Sequence, residues 1–79
     1  MLTTVTIFER PKDFPDSFVA RRFTSGPGAV FATSDYQISP TIEPLRRWAA
    51  KQCERYNQSI PVNMGRQLAD EPHIIETWI

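Results

Sequence analysis

Two residue types in this chain could drive covalent or proton chemistry, and each occurs once. His73 is the only histidine and Cys53 the only cysteine, so a triad or an imidazole general base must use His73. It follows Pro72 near Asp70 and Glu71, acids able to orient the ring or raise its pKa. No nucleophile elbow or phosphate loop accompanies it, so its expected place is a strand end at the surface. Asp70, Glu71, His73 and Glu76 could be drawn as an oxygen-rich metal site. Neighbouring strand positions point to opposite faces, however, and these groups would not converge. A solvated acidic turn is expected there. Cys53 falls on an apolar helix face and reads as a small core residue. One Cys and one His exclude an internal disulfide and a Cys/His zinc site within the chain, and no cofactor or metal is expected.

A second group of residues suggests binding. Arg47, Lys51 and Arg55 stand four residues apart, with Arg46 beside them and Trp48 bordering the stripe. On a helix they form one basic face able to meet phosphates or an acidic protein surface. An exposed tryptophan there is the kind of side chain that anchors interfaces. Arg46, Arg47, Trp48, Lys51 and Arg55 are therefore the candidate partner-binding residues. Trp78 and the last strand come next, if that strand lies at a sheet edge. Gly26 and Gly28 are hairpin glycines, because neither Gly-x-Gly-x-x-Gly nor Gly-Lys-Ser/Thr occurs.

Proline parses the elements that must hold these residues. It stands at positions 11, 15, 27, 40, 44, 61 and 72, disfavouring helix interiors and central strands there. Leu45–Ile60 is the longest stretch without it. A helix over 42–56 follows, with Thr41 as N-cap, Pro44 at N3 and Asn57 as the stop. Ile42, Leu45, Ala49, Cys53 and Tyr56 recur at three- and four-residue steps and face a core. Thr3–Phe8, Phe18–Thr24 and Ala29–Thr33 read as strands, the last two joined through Ser25-Gly-Pro-Gly28. His73–Ile79 is the final strand, Ile60–Val62 a candidate extended segment, and Gly65–Pro72 a loop. Arg21 and Arg22 must point to opposite faces of their strand. Whichever faces inward needs a carboxylate, for which Glu9, Asp13 and Asp16 are the expected partners.

The expected architecture is α+β: one domain over 1–79, with an antiparallel sheet of about four strands packed against one helix in the order β-β-β-α-β. Nine basic and nine acidic residues cancel, so net charge singles out neither nucleic acid nor a membrane. No signal peptide or spanning segment is evident, which gives the expectation of a soluble protein in a reducing cytoplasm.

Three stretches carry a resemblance. Arg10-Pro-Lys-Asp-Phe-Pro-Asp-Ser-Phe-Val-Ala-Arg-Arg-Phe23 resembles the R-P-x-D-F/Y-P-D-x-F/W-V-V-R opening of small uncharacterised bacterial and prophage proteins. Asp70-Glu-Pro-His-Ile-Ile-Glu-Thr-Trp-Ile79 is similar to their D-D-P-x-I-x-E-x-W ending. Thr41-Ile-Glu-Pro-Leu-Arg46 resembles their T-L-E-E-A-R helix start, departing at Pro44 and in a longer, more basic helix. The resemblance covers under half the chain. It implies a phage-linked origin and transfers no catalytic residue. By analogy, small cofactor-free proteins of that origin act by binding and blocking a host machine, as anti-CRISPR proteins do. The expectation is a non-enzymatic inhibitor acting in the host cytoplasm on a host protein or ribonucleoprotein complex. The alternatives are a structural or accessory phage protein, or a small nucleic-acid-binding module.

Overall fold

The computed structural model describes residues 1–66 and 72–79. Four strands and one helix follow in chain order: β1 (Leu2–Glu9), β2 (Phe18–Gly26), β3 (Ala29–Ser39), α1 (Glu43–Asn57) and β4 (Ile74–Trp78). The strands form one antiparallel sheet in the order β3-β2-β1-β4. The α+β expectation and its element order hold. The helix packs on one face of the sheet, over β1, with one flank toward β3 and the other toward β4.

Strand alternation decides which side chains meet the helix. Val5 and Ile7 of β1 stand opposite Arg22 and Ala20 of β2, and opposite Trp78 and Glu76 of β4. This face meets Leu45, Ala49 and Cys53 at three helical steps, and Val5, Ile7, Ala20, Leu45, Ala49 and Cys53 form the buried core. Burying a Val, Ile or Leu side chain contributes about 2 kcal/mol. Phe18, Ile42, Trp48, Ile75 and Trp78 pack around that core.

The opposite face has rows Phe8–Val19–Ile38 and Thr6–Arg21–Tyr36. No helix covers it. The Pro-rich segment between β1 and β2 instead folds back, so that Pro11, Asp13 and Phe14 stand with Phe8, Val19 and Arg21 around a cavity of about 190 Å³. Two turns shape that segment: Phe14 N–H donates to Pro11 O, and Ser17 N–H to Phe14 O. Arg10 N–H closes the loop on Ser17 O at 2.9 Å, from a left-handed backbone at φ 47°.

Several boundaries differ from the sequence expectation. The helix begins at Glu43, with Ile42 as N-cap and no side-chain cap. Thr41 is not the cap, and its N–H donates to Ser39 Oγ. Pro44 stands in the first turn, where its missing N–H costs no bond. Asn57 closes the last turn and reaches across to β1. Its Oδ1 accepts from Thr3 N–H and its Nδ2 donates to Thr3 O, both at 2.8 Å. Gln58 ends the helix in a left-handed conformation, φ 53°, with its N–H on Glu54 O. β3 runs to Ser39, well past Thr33, and contains a bulge: Arg21 pairs with Tyr36 and Phe23 with Ala32, so Arg22 faces three residues. Thr33 Oγ1 ties the bulge down by donating to Arg22 O and accepting from Asp35 N–H.

The two sheet edges are unequal. Along the outer side of β4, Val62 and Ile79 exchange N–H···O bonds of 2.8 and 2.9 Å, and Met64 N–H donates to Thr77 O. The expected extended segment near Val62 is thus an irregular strand that closes this edge. Trp78 therefore does not lie at an open edge. β3 has no such neighbour among the described residues. No described helix is long and apolar enough to cross a membrane.

Candidate partner-binding groove

Successive i, i+4 positions on a helix drift by about 40° around its axis. The row Arg47, Lys51, Arg55 consequently winds from the outer surface of α1 toward the β3 side. There α1 and β3 enclose a groove of about 220 Å³, lined by Ser34, Asp35, Tyr36 and Gln37 of β3 and by Trp48, Gln52, Arg55 and Tyr56 of α1. Trp48 is half-buried, packing against the core and lining the groove. Arg47, Lys51 and Arg55 are exposed, and none forms an ion pair among the described residues. Arg55 lies over the Tyr56 ring at 5.5 Å.

Beneath the groove the charges are settled. Arg22 points to the helix side, with its side chain 12% exposed, and pairs with Asp35 at 2.8 Å. Its guanidinium also sits 4.1 Å from the centroid of the Tyr56 ring, a cation–π contact. The expected carboxylates Glu9, Asp13 and Asp16 do not serve Arg22, because the β3 bulge turns Asp35 toward it. Arg21, on the other face, donates to Thr33 O and stacks over Tyr36. With Asp35 neutralised by Arg22, the free positive charge at the groove comes from α1.

Arg46 lies on the opposite flank of the helix, toward β4, and is engaged in the fold. Its Nη2 donates to Glu76 Oε1 at 3.0 Å, Nε approaches both Glu76 oxygens at 3.3 Å, and Nη1 reaches Glu43. Glu76 is buried, and it also accepts from Trp78 Nε1 at 2.7 Å and Asn63 Nδ2 at 3.1 Å. The Glu76 hydrogen bonds are the chief cause that raises the Arg46 pKa above its ordinary value. This network ties α1, β4 and the irregular strand together. Of the five candidate residues, the structure brings Trp48 and Arg55 into the groove and sets Arg47 and Lys51 on the same basic row. It sends Arg46 elsewhere.

The groups weighed for covalent chemistry are placed as follows. The Cys53 thiol is buried, and burial pushes its pKa up to about 11, so it is held as the unreactive thiol. His73 is exposed, its Nδ1 is 3.2 Å from Glu9 O, and its backbone carbonyl accepts from Glu9 N–H, extending the β1–β4 ladder. Asp70 and Glu71 lie outside the described residues. Among the described residues no cluster of His, Cys, Asp and Glu could hold a metal ion.

Sequence reasoning missed the β3 wall of the groove, Ser34 to Gln37. The signal was present as Val30, Ala32, Tyr36 and Ile38, which keep a two-residue period across Ser34-Asp35, a pair that reads as a turn. No protein-family model matches the chain, and no curated protein or solved structure is significantly similar to it.

Proposed function

We propose that this chain works by binding, as a small phage-type inhibitor that docks on a host macromolecular complex through the β3 side of α1 and blocks it. The observation that carries the reading is the row Arg47, Lys51, Arg55, which forms no ion pair among the described residues and winds into a groove lined by Trp48 and Tyr56. Aromatic and arginine side chains of this kind supply most of the energy of protein interfaces. A standard footprint of about 800 Å² per partner would take in the groove, the basic row and the neighbouring β3 edge, out of a total accessible surface of 5271 Å².

The test is capture from host lysate with and without nuclease, alongside inhibition of the captured complex, for the parent and for Arg47→Glu/Lys51→Glu. Circular dichroism establishes that the variant is folded. The expected result is capture that survives nuclease, with both capture and inhibition abolished by charge reversal. Capture that vanishes with nuclease would assign the basic row to nucleic acid. Unchanged inhibition by the folded variant would refute the proposal.

A further inference from the structure

The groove is lined on one side by residues of β3, a sheet edge with no strand neighbour among the described residues, and that chemistry specifies its occupant further. We infer that it receives an extended, acidic segment of the partner, added to β3 as a further strand; this rests on the reading that the chain binds through this side of α1.

The edge is suited to it. β3 carries neither lysine nor proline, the usual guards of an exposed edge, and its one charge, Asp35, is turned to Arg22. The bulge removes Thr33 to Asp35 from regular pairing, but Tyr36 to Ser39 keep register with β2. Their outward backbone groups have no strand neighbour among the described residues. A strand added here runs along the outer side of β3, next to the groove that Trp48, Gln52 and Arg55 wall, with alternate side chains on the helix side of the sheet. Its other side chains fall beside Tyr36 and Ile38, which are 44% and 40% exposed.

Charge and spacing select the sequence of that strand. Same-side residues of a strand recur every ~6.8 Å, and residues four apart on a helix every ~6 Å. Acidic residues at every second position therefore keep step with Lys51 and Arg55. A second copy of this chain would present its own Lys51 and Arg55 to the same cations, which disfavours β3 pairing with itself.

The probe is a short, end-blocked peptide alternating glutamate with valine, titrated into the whole protein by calorimetry and by amide hydrogen exchange. The expected result is binding that protects amides within Tyr36–Ser39. Methylating the alternate peptide nitrogens that face the edge should weaken binding by about tenfold or more, since each methyl removes a backbone hydrogen bond. Methylating the other set should leave it unchanged. Replacing glutamate by lysine should abolish binding, and Arg55→Gln should weaken it several-fold. Equal binding of both methylated peptides, protection confined to other segments, or no binding of the parent peptide would overturn the inference. So would Tyr36–Ser39 amides already protected, in a concentration-dependent way, without peptide. In any of these cases, loss of capture with Arg47→Glu/Lys51→Glu would still uphold docking through the basic row, so the two readings fail separately.

Discussion

Replacing Arg46 by methionine removes the cation that faces buried Glu76 and keeps the length of the aliphatic stem. Breaking a buried ion pair from one side costs about 3–5 kcal/mol. Here the Arg46 side chain is 40% exposed and that of Glu76 is 5% exposed. Water can enter the vacated side, and Trp78 Nε1 and Asn63 Nδ2 still donate to the carboxylate. The discounted cost is about 2 kcal/mol. Glu76→Gln should cost a similar ~2 kcal/mol for a different reason. One amide oxygen cannot accept from Arg46 on one side and from Asn63 and Trp78 on the other, so its NH₂ must meet donors. In the double variant that conflict disappears, because the oxygen can turn to Trp78 and Asn63 and the NH₂ to solvent. Arg46→Met/Glu76→Gln should therefore be about as stable as Arg46→Met alone, a coupling of roughly 2 kcal/mol. Each single change should lower Tm by about 10 °C in a domain this small. Urea unfolding followed by far-ultraviolet circular dichroism gives all four stabilities without depending on Trp78 emission. Additive effects, or single costs below about 0.5 kcal/mol, would refute the account of Glu76 as a saturated buried acceptor.

Two further predictions concern single positions. Burial raises the Cys53 thiol from 9.0 to about 11, so the folded state holds this proton more firmly than the unfolded one. Its contribution is fully present below pH 9 and is lost as pH rises to about 11. Tm should fall across that window by more in the parent than in Cys53→Ala, and a thiol reagent at pH 8 should label Cys53 only as the chain unfolds; rapid native labelling would contradict its burial. Gly28 has φ 75° with nothing near the site of an added Cβ, so Gly28→Ala should cost about 1 kcal/mol from backbone strain alone. Gly26→Ala, with no positive φ to oppose it, should cost less, and equal Tm losses for the two would refute the turn assignment.

What the sequence made legible follows from which signals are local. The helix, β1 and the tight hairpin are set by periodicity and turn chemistry within a few residues, and each is found within a residue or two of its expected start. The far half of β3 was not legible, because Ser34-Asp35 carries turn chemistry that the fold uses as a bulge inside a strand. The missing partner of Arg22 follows from the same bulge, since Asp35 reaches Arg22 only when three residues oppose one. Arg46 shows the limit of reading a helix as a wheel. It belongs to the polar side by sequence, but β4 lies beneath that flank and supplies a buried acid. A clue existed in Glu76 itself, an acid among Ile74, Ile75 and Trp78.

That division of the basic residues bears on what kind of partner the groove can take. With Arg46 bound to Glu76, Arg47, Lys51 and Arg55 are the helix cations that form no ion pair among the described residues. Three phosphate contacts would give a log–log salt slope near −2.7, or roughly 40-fold weaker binding between 50 and 200 mM salt. Tight duplex binders draw on two to three times as many such contacts. The groove instead combines a few cations with three aromatic residues, two glutamines and a sheet edge that has no strand neighbour among the described residues. On the proposed reading these groups would select a polypeptide, by hydrogen bonding along a strand and by burying apolar side chains, whereas phosphates would leave most of them unused. Composition alone, with charges balanced at zero, offers no such argument; the proposal of a polypeptide partner draws on the position of Arg46 on the β4 flank and of Arg55 on the β3 flank.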